Sequence, residues 1–164
     1  MTTKFVDQDI RSDEGFRAEA YPDPLTGGDP WTVGFGCTGT DIKKGTRWTL
    51  AQAVAEQMKR RQEIERALDQ AIGWWRGMID ERQDVLVNMA YNLGVPGLLA
   101  FHHTLAAAES DDYTHAAAGM LASKWATQVP KRAKRLAQQM LTGERAVPLS
   151  NFGQAATQQA IDNG

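Results

Sequence analysis

Two carboxylates, Glu14 and Asp23, stand nine positions apart in Asp13-Glu14-Gly15-Phe16-Arg17-Ala18-Glu19-Ala20-Tyr21-Pro22-Asp23. The first falls in the last turns of a helix-patterned segment, the second in a proline-rich turn. Thr32 follows in Trp31-Thr32-Val33-Gly34-Phe35-Gly36, where alternating Trp31, Val33 and Phe35 read as a short strand. A helix end, a loop and a strand can converge on one cleft. Glycoside hydrolysis needs such a pair: one carboxyl stays protonated to serve the leaving oxygen, while an ionised one activates water or stabilises positive charge. Different surroundings push the two titrations apart. A buried helix position favours the neutral acid at Glu14, and a solvated turn favours the anion at Asp23. Spacing alone also has a plainer reading, since the chain has 20 acidic residues. In that reading Glu14 is a helix-surface charge and Asp23 a turn residue beside proline.

The elements that must position these residues follow from the apolar pattern. A first helix is expected over about residues 7–20, with Phe5, Ile10 and Phe16 as its larger apolar residues and Pro22 and Pro24 ending it. The glycine- and proline-rich stretch that follows predicts a small β hairpin or sheet. Thr49 and Gln52 have the spacing of a capping box, opening a long helix to about residue 72. Its length approaches what would join two lobes. Asp80 and Gln83 are candidates to cap the next helix, whose apolar face is Val85, Leu86, Met89, Ala90 and Leu93, with Gly94 just past its end. Further helices are expected over about 104–108, 112–123 and 131–141, with Gly143 as a stop. The tail over about 154–164 is small and polar and expected to fray.

Composition narrows the function class. The chain has 164 residues, 42% of them apolar, enough to bury a core without disulfides or metals. Cys37 is the one cysteine, so no intrachain disulfide forms and the chain can fold in a reducing cytosol. No apolar run follows the N-terminal lysine, so neither a secretory signal nor an anchor is expected, and no stretch suggests stable membrane insertion. Adjacent His102 and His103 point in different directions on a helix, and His115 lies farther on. No metal and no cofactor are expected. The formal net charge of -2 gives no sign of a nucleic-acid partner. Residues 113–143 nevertheless lack acids and carry Lys124, Lys131, Arg132, Lys134 and Arg135. This strongly positive stretch is either a solvated helix face or a means of concentrating the chain on an anionic wall.

Taken together, Glu14-Gly15, Tyr21-Pro22-Asp23 and Trp31-Thr32-Val33-Gly34-Phe35-Gly36 resemble the active-site segment of the phage lysozymes, glycoside hydrolase family 24. Asn88-Met89-Ala90-Tyr91-Asn92-Leu93-Gly94, Gly97, Phe101, Ser123-Lys124-Trp125 and Gln128-Val129-Pro130-Lys131-Arg132-Ala133-Lys134-Arg135 continue it in matching order. The resemblance implies a mostly α, α+β lysozyme-like fold in a single domain spanning 1–164. A small N-terminal lobe over about 15–50 carries the sheet, and a connecting helix spans about 50–72. The helical C-terminal lobe covers about 73–164 plus the first helix.

The same resemblance implies roles. Glu14 is the general acid, Asp23 the carboxylate that orients water or stabilises charge, and Thr32 the hydroxyl that helps hold the water. Arg132 approaches Glu14, and Arg135 pairs with Asp13, tying the first helix to the C-terminal lobe. Asn92, Trp125 and Arg132 lie near substrate, with helix packing the other reading of Asn92 and core burial that of Trp125. The sequence departs from the pattern twice. Eight residues rather than five separate Asp23 from Thr32, which leaves Asp29 as a rival for Asp23's role. Cys37 replaces the usual histidine and reads as a small buried thiol.

The implied activity is that of an endolysin: hydrolysis of the β-1,4 bond between N-acetylmuramic acid and N-acetylglucosamine in bacterial peptidoglycan, with inversion, leading to host lysis. A monomer is expected, held in the host cytoplasm until a separate holin opens the membrane. Three alternatives remain: a wall-binding or structural protein that keeps the fold without hydrolysis, a lytic transglycosylase that needs only the acid, and a virion-associated lysozyme.

Overall fold

A computed structural model describes residues 1–148; the expected fraying of the tail lies outside the described residues. The first helix, α1 (Val6–Glu14), is shorter than its pattern suggested. Gly15 ends it at φ 69°, with its N–H returning to the Arg11 carbonyl. Arg17–Tyr21, expected to be helical, is instead strand β1. Helix propensity is a weak preference, and here tertiary pairing overrides it. β1 pairs antiparallel with β2 (Thr32–Gly34), Tyr21 facing Thr32, and β2 pairs with β3 (Cys37–Thr38). On its other side, the Ala20 N–H donates to Thr46 and the Ala18 carbonyl accepts from Trp48.

The helices that follow largely match the pattern. α2 (Leu50–Ala71) opens with the expected capping box, both Thr49–Gln52 bonds being present. A 3-10 turn (Gly73–Gly77) leads to α3 (Asp80–Leu93). The proposed Asp80–Gln83 cap does not form. Ile79 is the N-cap, and Gln83 is buried, its amide donating to the Arg76 and Met78 carbonyls beneath the preceding turn. Gly94 closes α3 at φ 76° as expected. The short α4 (Val95–Leu99) and α7 (Lys124–Gln128) were not anticipated; five-residue helices leave little periodicity to read. α5 (His102–Glu109), α6 (Tyr113–Leu121) and α8 (Pro130–Thr142) lie where helices were expected, and Gly143 stops α8 in the left-handed conformation.

Two hydrophobic clusters result. The larger gathers Val6 and Ile10 of α1 with Leu68, Trp75, the inner face of α3, Met120, Leu136 and Met140. The smaller lies under the sheet, where Ala20, Val33, Cys37 and Ile42 pack against Trp31 and Trp48. α1 therefore precedes the sheet in sequence but packs with the helical body. Polar contacts fasten it to α2: buried Gln57 accepts from Arg11 and donates to Asp7, which also pairs with Arg61. No helix among the described residues is long and apolar enough to cross a membrane.

One buried acid loads this body. Asp84 on α3 accepts from the Thr3 N–H and hydroxyl. Burial pushes its carboxyl up to about 7, against the pull of the Thr3 bonds and with Asp9 and Glu81 adding to the rise. An unfolded Asp titrates near about 4. Between that value and about 7 only the unfolded chain releases the proton, so stability falls as pH rises through the window. Asp84→Asn should therefore match the wild-type thermal midpoint near pH ~4 and exceed it near pH ~8, as read by scanning calorimetry.

Candidate active site

Glu14 is the last residue of α1, so the Gly15 stop delivers its side chain to the edge of the helical body. There it meets the turn between β2 and β3. A Cβ placed on Gly36 would lie 2.6 Å from Glu14 Oε2, so only glycine lets the carboxyl lie against this backbone. Gly36 also sits at φ 72°, a conformation that side-chain-bearing residues rarely adopt. The turn is held from the helical side: Tyr91 of α3 donates its hydroxyl to the Phe35 carbonyl at 2.9 Å. Burial raises the Tyr91 phenol, keeping it neutral as a donor. The Phe16 and Phe35 rings pack 5.6 Å apart beside it.

The other Glu14 oxygen, Oε1, accepts from Arg132 Nη1 at 2.6 Å. The Arg132 side chain is only 7% exposed. Two further bonds go to Asn88 of α3: Nε to the side-chain oxygen at 2.8 Å and Nη2 to the main-chain carbonyl at 3.2 Å. The Asn88 amide nitrogen in turn donates to Asp13 Oδ2 at 2.9 Å. Arg135 donates to the same oxygen at 2.5 Å. Two carboxylates and two guanidiniums thus surround one amide, and every long side chain has a fixed partner.

Two grooves flank Glu14. Gly36, Thr38, Arg60, Tyr91 and Asn92 line the first, between the sheet and the helical body. Glu14, Asn92, Arg132, Lys131 and Lys134 are among those lining the second. Asn92 is common to both, and Glu14, which touches Gly36, stands where they meet. Trp125 lines neither. It is 3% exposed within the core, stacks edge-on to Phe101, and donates its indole N–H to Asn92 at 2.8 Å. It reaches the cleft only through Asn92.

Asp23 and Thr32 sit on the hairpin side and line neither groove. Residues 23–28 close on themselves, with the Asp23 N–H bonded to the Gly28 carbonyl and the Gly27 N–H to the Asp23 carbonyl. Asp23 Oδ1 accepts from the Leu25 and Thr26 amides at 2.8 and 3.0 Å. Its Oδ2 has no partner among the described residues. This closed turn absorbs the extra loop length while Tyr21 and Thr32 stay paired. Asp29 is exposed in the same loop. Cys37 is fully buried, and burial raises its thiol, as suits a packing residue. Among the described residues no cluster of His, Cys, Asp or Glu is placed to hold a metal.

A family model described as phage lysozyme matches residues 11–143. The chain belongs to the phage lysozyme family. The match takes in Glu14, the whole lining of the first groove and the Arg132–Asn88–Asp13 cluster. Membership makes the chain a lysozyme-type glycosidase of peptidoglycan degradation, with the mostly helical α+β architecture seen here. No curated protein sequence matches it significantly.

For this phage lysozyme, Asn88, Tyr91 and Gly36 are structural determinants to which sequence reasoning gave no individual role. A polar Asn88 within the apolar stretch of α3 was the available signal, because a buried amide needs partners. Two outcomes follow from the geometry. Arg132→Ala leaves Glu14, Asp13 and Asn88 short of donors and should cost about 3–5 kcal/mol of stability in urea unfolding. Gly36→Ala should displace the Glu14 carboxyl and lower the lytic rate by about a hundredfold while the protein still folds, as read by turbidity clearance beside circular dichroism.

Proposed function

We propose that the chain is an endolysin muramidase, hydrolysing the β-1,4 bond between N-acetylmuramic acid and N-acetylglucosamine, with Glu14 as general acid. The observation that carries this reading is the Glu14 carboxyl, fixed at the junction of two grooves by Gly36 and Arg132. A glycan strand laid along both grooves would bring its scissile oxygen to that point. Glu14 donates its proton to the leaving oxygen as the glycosidic bond breaks, and charge develops on the sugar left behind. Asp23 is the second carboxylate. The loop amides hold Oδ1, which leaves Oδ2 to stabilise that charge or to orient water, with the Thr32 hydroxyl helping to hold the water. Water attacks from the face opposite the leaving group, releases a proton to Asp23 or to solvent, and so inverts the anomeric centre. Asn92 contacts substrate where the grooves join. Arg132 sets the position of the acid, and Trp125 acts by fixing Asn92.

In this reading the enzyme works as a monomer without metal or cofactor. It is held in the host cytoplasm until a holin admits it to the wall, and host lysis follows.

Mass spectrometry of muropeptides tests the chemistry. Purified peptidoglycan treated with the wild type should yield hydrated reducing muramic acid ends, and folded Glu14→Gln should yield none. Anhydromuramic ends would make the enzyme a transglycosylase, and no new ends from either protein would leave wall binding without hydrolysis. Asp23→Asn should lose at least about a hundredfold in rate and Asp29→Asn much less. The reverse order would assign the second carboxylate to Asp29.

A further inference from the structure

The turn that Glu14 lies against is weakly held by its own strands. Phe35 and Gly36 connect β2 to β3, and β3 is only two residues long. Thr32 pairs with Thr38 and Val33 with Cys37. Gly34 and Gly36, on either side of Phe35, take positive φ at 67° and 72°. A hairpin this short is marginal by itself, and its glycines add backbone freedom. β3 is also an edge of the three-stranded sheet.

Two helices supply what the hairpin lacks. From α3, Tyr91 holds the Phe35 carbonyl. From α2, Arg60 reaches the edge strand and donates Nη2 to the Thr38 carbonyl at 2.7 Å. Its Nε donates at 3.1 Å to Glu56 Oε1, one helical turn earlier, and this bond orients the guanidinium. Two turns before Arg60, on the same face of α2, Ala53 backs the hairpin: a Cβ on Gly34 would lie 3.1 Å from the Ala53 Cβ. The segment 35–38 is thus bonded to α3 at its start and to α2 at its end. Gly36 lies between the two bonds, and its backbone is the stop for Glu14 Oε2.

Resting on the reading of Glu14 as general acid, we propose that Arg60 is a positioning residue of the reaction: bonded to Thr38, it locks the β2–β3 turn to α2 and so fixes the Glu14 carboxyl against Gly36. Arg132 holds the other carboxyl oxygen, so the acid is confined from both sides only while the turn stays in place. A small displacement of a reacting group is costly in rate, whereas substrate affinity is spread over the whole cleft. Arg60 therefore acts on kcat rather than on KM. Arg60 also lines the first groove, so direct contact with substrate is the competing account, and kinetics separate the two.

Arg60→Met keeps the aliphatic stem and removes the donors. The side chain is 28% exposed, so the fold survives the change. On soluble peptidoglycan strands kcat should fall about tenfold, with KM within about twofold of the wild type. A raised KM with unchanged kcat would make Arg60 a substrate contact and overturn the proposal, as would wild-type values of both. Tyr91→Phe removes the bond at the other end of the turn. A turn released at one end is already free, so the double variant should lose little more than the worse single variant. Losses that multiply overturn the shared lock. A readout apart from catalysis is the backbone order parameter of the Gly36 amide, taken from NMR relaxation without substrate. It should fall in Arg60→Met, and an unchanged value overturns the proposal. Failure of the functional reading looks different: folded Glu14→Gln then still cleaves, while the Gly36 amide continues to report on the lock.

Discussion

Asn88 sits where the first helix, the third helix and α8 meet, and the candidate site is built outward from its bonds. It accepts from Arg132 through both its side-chain and main-chain oxygens, and it donates to Asp13. Buried ions are costly unless paired and hydrogen-bonded. Here two acids and two arginines offset one another, and the amide supplies the acceptors and the donor that the ions need. The arrangement has little slack. Arg132 cannot turn from Glu14 without breaking two bonds to Asn88, and Asp13 cannot move without releasing Arg135. Glu14 is the residue next to Asp13, so the cluster that fixes the helix end also fixes the acid.

That constraint explains the position of α1. The helix joins the larger hydrophobic cluster through Val6 and Ile10, while the chain immediately after it forms the sheet with its own smaller cluster. Gly15 lies between the two. The acid is consequently anchored to the helical body and faces the sheet, touching it at Gly36. Tyr91 repeats the link from the other direction, bonding a residue of α3 to the Phe35 carbonyl. The cleft is therefore a junction of two packed bodies, and the groove beside α8 extends it.

Local signals in the sequence were legible where the physics is local. Thr49 and Gln52 form their capping box from neighbouring residues, and Gly94 and Gly143 end helices because their own backbones take positive φ. Cys37 was readable as a small buried residue. Other elements depended on partners distant in sequence. Residues 17–21 contain good helix formers yet form a strand, because Gly34, Thr32, Thr46 and Trp48 supply a ladder. Asp80 had the type and spacing of a cap, but Ile79 holds that position while the Gln83 amide serves the 3-10 turn instead.

The sequence by itself determined the residue types available for chemistry, the order of the long helices, and the proline- and glycine-rich segment that had to turn. These follow from side-chain identity, period and backbone freedom over a few residues. Tertiary structure alone decided which acids share a site and which tryptophan is core. It also decided which cations are spent on buried partners and which stay free. Glu14 and Arg132 are 118 positions apart in the chain yet share a 2.6 Å bond. Lys131 and Arg132 are adjacent but differ entirely in burial, because α8 turns successive side chains to different faces. The helical period separates the two side chains; the packing of α8 against α3 and α6 decides which of the faces is buried.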